Sequence, residues 1–177
     1  MKILVHSCCA DCLLKLVEAM KQESDKNLEL TAYVYNPNIH PRSEYLSRLK
    51  AVQQIAKEIK IELVVADWSP KEWFEVNKNK FEKPERCHQC WKLRLEKSFE
   101  YARKHGFGAV TTTLLTSHYQ DRNKIEKIGK DLAKKYEIKF LVPKKININL
   151  ETKGFYKQNY CGCGWSLVET WKEKFNN

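Results

Sequence analysis

Seven cysteines fall in three clusters, Cys8-Cys9-x-x-Cys12, Cys87-x-x-Cys90 and Cys161-x-Cys163, each separated from the next by more than 70 residues. One Cys-x-x-Cys serves zinc knuckles and redox dithiols alike and says little alone. Three such clusters in 177 residues say more. An odd number of cysteines cannot close into a disulfide framework. The chain opens directly on Lys2-Ile3-Leu4-Val5, with no basic, apolar and small-residue leader pattern. Both features point to a reducing compartment, where clustered cysteines are metal ligands or reactive thiols. Seven thiolates exceed the four that one tetrahedral zinc or one cubane cluster needs, so the count divides as four plus three. A four-thiolate centre is closed and suited to electron transfer, whereas a three-thiolate metal keeps an open position for chemistry. The competing account is one structural zinc with spare thiols. A chain with a full parallel sheet does not need a metal to fold, and structural zinc sites seldom gather ligands from three such distant segments.

Other polar residues near predicted strand ends are His6, Asp11, Asn36, Asn38, Thr111, Thr112, Thr113, Ser117 and His118. Singly they carry little weight, since a lone histidine is more often a hydrogen-bonded structural group than a proton donor. Tyr33, Tyr35 and Tyr45 read as core, and Trp91 as packing beneath the cysteines.

Positioning these groups requires a scaffold, and hydrophobic periodicity supplies one. Short runs of β-formers recur at 3–5, 30–35, 62–66, 109–113 and 139–142. Between them, apolar residues take helical spacing: Leu13, Leu16, Val17 and Met20; Leu46, Leu49, Val52, Ile55 and Ile59; Ile125, Ile128, Leu132 and Tyr136. Ser69-Pro70 with Glu72 predicts a helix starting at Pro70. Strands alternating with helices predict right-handed βαβ units. The expected fold is α/β and Rossmann-like, three layers around a mainly parallel sheet of about five strands, with residues 1–177 as one domain. Such folds bind ligands at the carboxyl ends of their strands. Cys8, Cys9 and Cys12 follow the first predicted strand, and Cys87 and Cys90 open a helix, whose N-terminus favours thiolates. Residues 144–160 read as an extended connection that delivers Cys161-Gly162-Cys163-Gly164-Trp165 to the site, before a last helix from about Ser166 to Phe175.

Thirty-two Lys and Arg against 22 Asp and Glu give a net charge of +10, enough to draw a polyanion such as nucleic acid, although a solvated lysine-rich surface gives the same number. From Asp121 to Lys145 there are nine basic and four acidic residues, which marks a candidate basic face. No apolar run reaches membrane-spanning length, so no membrane partner is expected and the location read is cytoplasmic.

Five blocks then resemble the cobalamin-independent epoxyqueuosine reductase family, in order and spacing. They are His6-Ser7-Cys8-Cys9-Ala10-Asp11-Cys12; Tyr35-Asn36-Pro37-Asn38-Ile39-His40-Pro41 with Glu44, Tyr45 and Arg48; Glu85-Arg86-Cys87-His88-Gln89-Cys90-Trp91-Lys92-Leu93-Arg94-Leu95; Thr111 to Leu114 with Ser117; and Gln158-Asn159-Tyr160-Cys161-Gly162-Cys163 with Ser166. The chain departs from the family where Asp11 stands in place of the proline that commonly precedes the last cysteine of the first cluster, and at Ser117-His118-Tyr119-Gln120.

The resemblance implies an oxidoreductase with a HUP-type fold that removes the epoxide oxygen of epoxyqueuosine in a tRNA anticodon, using a 4Fe-4S cluster beside a second metal ion, iron or alternatively zinc. On that resemblance, Cys9, Cys87, Cys90 and Cys163 are assigned to the cluster and Cys8, Cys12 and Cys161 to the metal. Breaking the C–O bond needs two electrons and protons, and no Gly-x-Gly-x-x-Gly carrier motif is present. The electrons are expected from the metals, fed by a low-potential electron donor. His6, Asp11, His88 and Tyr160 are the candidate proton donors, and Arg42, Arg48 and Arg94 the candidate tRNA contacts.

Three rival readings can be set beside this one. A sulfonucleotide reductase-like iron–sulfur enzyme leaves the first and third clusters partly unexplained. A zinc-stabilised RNA-binding module without catalysis would contain zinc and no acid-labile sulfide. A nucleotide-activating tRNA thiolase would need a Ser-Gly-Gly-x-Asp-Ser phosphate loop where this chain reads His6-Ser7-Cys8-Cys9-Ala10-Asp11.

Overall fold

Along the first strand, β1 (Lys2–His6), consecutive apolar side chains face opposite ways, and both faces are covered. Ile3 and Val5 enter one apolar layer with Leu13, Leu16 and Val17 of α1 (Ala10–Gln22) and Val52 and Ile55 of α2 (Arg42–Glu58). Leu4 enters the other layer, with Leu95 and Phe99 of α4 (Glu85–Lys104) and Ile125 and Leu132 of α5 (Arg122–Tyr136). A strand buried on both sides is read from sequence as a continuous apolar run, as Ile3-Leu4-Val5 is.

The computed structural model describes residues 1–23, 28–146 and 154–175. The remaining elements are β2 (Glu29–Val34), β3 (Glu62–Val65), α3 (Pro70–Val76), β4 (Ala109–Thr112), a 3-10 turn at Thr113–Thr116, β5 (Lys139–Phe140) and α6 (Gly164–Phe175). The sheet has five strands in the order β3-β2-β1-β4-β5, and every pairing is parallel. From β1 the chain winds outward through β2 to β3, then returns to the other side of β1 for β4 and β5. That reversal puts the topological switch point between β1 and β4, where His6 pairs with Thr112. A crevice opens beyond the carboxyl ends of two such strands, because their connections leave in opposite directions.

The α/β Rossmann-like, parallel fold expected from the sequence is therefore present, including a helix that starts at Pro70. Several details differ. Thr113 leaves the sheet for the 3-10 turn, where the Thr112 hydroxyl accepts from Leu114 N at 3.2 Å. Ser69 stands at the N-cap of α3 but its side chain makes no capping bond. β5 stops at Phe140 rather than Val142; it is an edge strand paired only with β4. α6 begins at Gly164, ahead of the expected Ser166. Of the extended connection expected over 144–160, residues 147–153 lie outside the described residues.

Candidate metal centre

The switch point carries the first cysteine group. β1 ends at His6, Ser7 donates its backbone N–H to Tyr33 O at 2.8 Å, and the chain turns into α1 with Cys9 at the N-cap. This tight strand-to-helix turn brings the Sγ atoms of Cys8, Cys9 and Cys12 within 4.8 Å of one another. Thr113, the first residue of the 3-10 turn after β4, fixes Cys8 twice. Its hydroxyl accepts from Cys8 N at 3.1 Å and lies 3.2 Å from Cys8 Sγ. Hydrogen bonds from Cys12 and Cys9 hold the Cys8 thiol well below its ordinary pKa. Its neighbours move the other way: hydrogen bonding within the group, followed by burial, raises Cys9 and pushes Cys12 up to about 12. One thiolate flanked by two thiols is what three crowded, buried sulfurs can sustain without a cation.

The second group comes from two segments. Cys87 and Cys90 lie in the first turns of α4, while Cys161 and Cys163 lie on the loop before α6. All four line one cavity, together with Asn38, Trp73, Arg86, Trp91, Arg94 and Gln120. The loop is held by the backbone of the β2–α2 connection: His40 N–H donates to Gly162 O at 2.8 Å, and the Tyr160 hydroxyl donates to His40 O at 2.6 Å. Gly162 adopts φ +116°, and a Cβ there would stand 3.1 Å from Ile39 Cγ1 and 3.2 Å from Arg48 Nη1, so this position requires glycine. Cys161 and Cys163 sulfurs are 3.8 Å apart. A hydrogen bond from Cys163 lowers Cys161 to about 5, and the same contact raises Cys163. Burial, then the charge of Cys161, pushes Cys87 up to about 11, and burial raises Cys90. Here too full ionisation of the set demands a positive centre.

Three arginines with 1–3 % exposed side chains surround the sulfurs: Arg48, Arg86 and Arg94. Arg48 pairs with Glu44 at 2.6 Å and donates to the carbonyls of Tyr160 at 3.1 Å and Cys161 at 3.3 Å. Arg86 pairs with Glu169 of α6 at 2.8 Å. Arg94 donates to the neutral Asn36 Oδ1 at 2.6 Å and forms no carboxylate ion pair among the described residues. Its charge acts on Cys8 in one group and on Cys90 in the other, and it lines the cysteine cavity. The Nε atoms of Arg86 and Arg94, Nε1 of Trp73 and Oδ1 of Asn38 are buried without a hydrogen-bond partner, and all four residues line the cysteine cavity. Buried orphan donors are costly. Three N–H donors facing four thiols fit an anionic, sulfur-rich group such as an iron–sulfur cluster, whose sulfurs accept hydrogen bonds.

The structure thus sorts the cysteines differently from the division drawn on resemblance. Cys9 stands with Cys8 and Cys12, and Cys161 with Cys163, Cys87 and Cys90. Spacing along the chain carries no information about which clusters meet. Of the proton-donor candidates, His6 is fully buried, with Nδ1 2.8 Å from Thr112 Oγ1 and Nε2 3.2 Å from Tyr35 O. Burial, reinforced by Arg94, pushes its pKa down to about 3, so it is neutral at pH 7. Burial, then Glu44, pushes Tyr160 up to about 12. His88 is exposed on α4, and Asp11 pairs with Lys15 at 2.7 Å in the first turn of α1. Among the arginines expected at the substrate, Arg42 alone is at the surface, stacked over Trp68 at 5.7 Å. Arg48 and Arg94 are buried, Arg94 in the lining of the cysteine cavity.

Trp73 and Glu169 were not singled out from sequence, and Glu44, Arg86 and Gln120, though within the quoted segments, were given no role there. For Arg86 a signal exists: Arg86, Cys90 and Arg94 recur every four residues and so share one helix face. Glu169 carries a stability prediction. Burial alone would raise its pKa, but Lys83 and Arg86 outweigh burial and hold it below the usual carboxylate range. The stability so contributed is complete above the ordinary carboxylate range and is lost as pH falls through the lowered folded value. Glu169→Gln leaves the buried Arg86 without its counter-charge. Because Glu169 is one-third exposed, the expected loss is about 1–3 kcal/mol at pH 7, shrinking toward zero in acid, measured by urea unfolding across pH.

A family profile described as Epoxyqueuosine reductase QueH matches residues 3–169. The Epoxyqueuosine reductase QueH of Haemophilus influenzae is 37 % identical over 188 aligned residues, covering 98 % of this chain and 75 % of that protein. That of Thermotoga maritima is 33 % identical over 182, covering 94 % and 91 %. Among solved structures, the U34-tRNA thiolase NcsA from Methanococcus maripaludis with its 4Fe-4S cluster aligns with a TM-score of 0.53 at 16 % identity. The alignment covers 99 % of this chain but 65 % of that one, less than two thirds of its length. The likeness is one of fold. No helix among the described residues is long and apolar enough to cross a membrane.

Proposed function

The chain belongs to the Epoxyqueuosine reductase QueH family, and we propose that it removes the epoxide oxygen of epoxyqueuosine at the wobble position of a tRNA anticodon. Two electrons and two protons are consumed, both C–O bonds of the epoxide break, and queuosine and one water are released. The observation that carries this reading is the convergence of seven cysteines from three distant segments into two groups, one at the β1–α1 turn and one lining a cavity with Arg94.

On geometry, Cys87, Cys90, Cys161 and Cys163 would hold a 4Fe-4S cluster, and Cys8, Cys9 and Cys12 a second ion, iron or zinc. When bound, a cluster supplies electrons singly at low potential, and a three-thiolate metal supplies Lewis acidity at its open position. The chain's own residues do the rest. Arg94 offsets the negative charge of both sulfur groups, and Arg86 and Trp73 direct N–H groups into the cavity. His6, held neutral, braces β1 against β4 through Thr112. Asp11, on the helical turn between Cys9 and Cys12, is our choice of proton donor. Asp11→Asn should lower turnover while iron content stays unchanged; unchanged turnover would pass the role to His88, Tyr160 or water. Arg42, exposed at the start of α2, is placed on an anticodon-loop phosphate. The electrons would come from a low-potential carrier protein.

The deciding assay incubates anaerobically purified, iron-reconstituted protein with a low-potential reductant and tRNA bearing epoxyqueuosine, then measures the tRNA nucleosides by mass spectrometry. Protein-dependent loss of one oxygen mass is the expected result. No conversion by protein with a verified cluster would refute the substrate assignment, and a sulfonucleotide would be the next substrate to try.

A further inference from the structure

The wall of the cysteine cavity continues outward as a shelf of aromatic rings. Trp73 is fully buried and lines the cavity, and Trp165 packs against it with ring centroids 5.4 Å apart. Around Trp165 stand Phe81, stacked at 5.5 Å and 15°, and Phe74 at 5.8 Å, itself stacked on His40 at 5.1 Å and 27°. The outer rings are poorly covered: Phe74 is 46 % and Phe81 48 % exposed. Large aromatic side chains left half in water beside a site, when the core has room for Trp73, are unfavourable for the free chain and call for a partner. Trp165 covers one side of the Phe81 ring, so a flat partner can extend the stack from the other side.

The rim of the shelf indicates which flat partner. Residues 77–83, which bring Phe81 to the surface, read Asn-Lys-Asn-Lys-Phe-Glu-Lys, three exposed lysines against one carboxylate. Lys83 pairs with Glu169 at 2.9 Å, whereas Lys78 and Lys80 form no ion pair among the described residues. Aromatic faces interleaved with cations are how proteins hold unpaired bases: the rings stack on bases and the cations meet the backbone. We propose that Phe74 and Phe81 form a stacking platform for an unpaired anticodon-loop base next to the one presented to the cysteine cavity, with Lys78 and Lys80 on the adjoining phosphates. This rests on the tRNA reading above and adds how that substrate is registered. Holding the neighbouring base outside the cavity fixes which nucleotide can enter it.

The test uses reconstituted holoprotein and a fluorescein-labelled anticodon stem-loop RNA, read by anisotropy. Phe81→Ala, and more so Phe74→Ala with Phe81→Ala, should weaken binding roughly 5- to 100-fold at unchanged iron content, and Phe81→Tyr should restore it. Stem-loops with an abasic site at each loop position in turn provide the second arm. At one position the abasic RNA should bind the unaltered protein as weakly as intact RNA binds Phe81→Ala, with no further loss when the two changes are combined. Equal affinity of the alanine variants for intact RNA, or strictly additive losses at every position, would overturn the platform. So would alanine variants that bind RNA normally but are no longer reduced by an acidic electron-transfer protein, since the shelf would then be the donor's dock. If the unaltered protein binds no anticodon loop, the tRNA reading itself fails.

Discussion

Cys161→Ala should purify without the visible absorbance of an iron–sulfur cluster and without activity, whereas Cys9→Ala should keep the absorbance and still lose activity. The pair is chosen because it separates two divisions of the seven thiolates. On the division by geometry, Cys161 shares a cavity with Cys163, Cys87 and Cys90, while Cys9 lies within 4.8 Å of Cys8 and Cys12. On the division by resemblance the two residues exchange places, and so do the two phenotypes. Cys87→Ala and Cys12→Ala are the controls, since both divisions give Cys87 to the cluster and Cys12 to the single ion. Turnover should fall by a factor on the order of 10³ or more in all four variants, because members of an interdependent catalytic set are not partly replaceable. The informative readouts are therefore iron, sulfide and the absorption spectrum rather than rate. Retention of the cluster in Cys161→Ala together with its loss in Cys9→Ala would reject the geometric division.

Why the scaffold was legible in the sequence and the division of the cysteines was not has a physical basis. Ile3-Leu4-Val5 is apolar at successive positions and two of the three are β-branched, which suits a strand covered on both faces; that signal is local. The switch point follows from strand order, and Cys8 lies two residues beyond the end of β1 in any α/β sheet of this kind. The place of Cys161 depends instead on contacts more than a hundred residues away in sequence, from Arg48 to the Tyr160 and Cys161 carbonyls and from His40 to Gly162. No local pattern encodes these. The burial of the arginines was hidden for a related reason: charged side chains are read as surface, and Arg48 and Arg94 are buried because carboxylate, carbonyl and amide partners meet them inside. The helical repeat of Arg86, Cys90 and Arg94 would have shown that they face the cysteines, since α4 must turn one face to the sheet.

Arg94→Met should lower the reduction potential of the bound cluster by about 100 mV or more and slow turnover, with tRNA affinity unchanged. Arg94 is 2 % exposed, its hydrogen-bond partner Asn36 is neutral, and its charge reaches Cys8 and Cys90 alike. A buried cation without a carboxylate persists only where other negative charge compensates it, and the thiolates are the negative charge at hand. Adding an electron makes a thiolate-bound cluster more negative, so a nearby cation favours the reduced state and its removal lowers the potential. At an effective dielectric of about 20, a unit charge within roughly 7 Å contributes about 2 kcal/mol, or about 100 mV for one electron. Arg94→Lys keeps the charge but not the planar fork that meets Asn36, so its potential should fall less than that of the methionine variant. Redox titration followed by electron paramagnetic resonance measures the shift directly. Circular dichroism and iron content first establish that each variant is folded and loaded. An unshifted potential combined with weakened tRNA binding would return Arg94 to the substrate, where its charge alone had placed it.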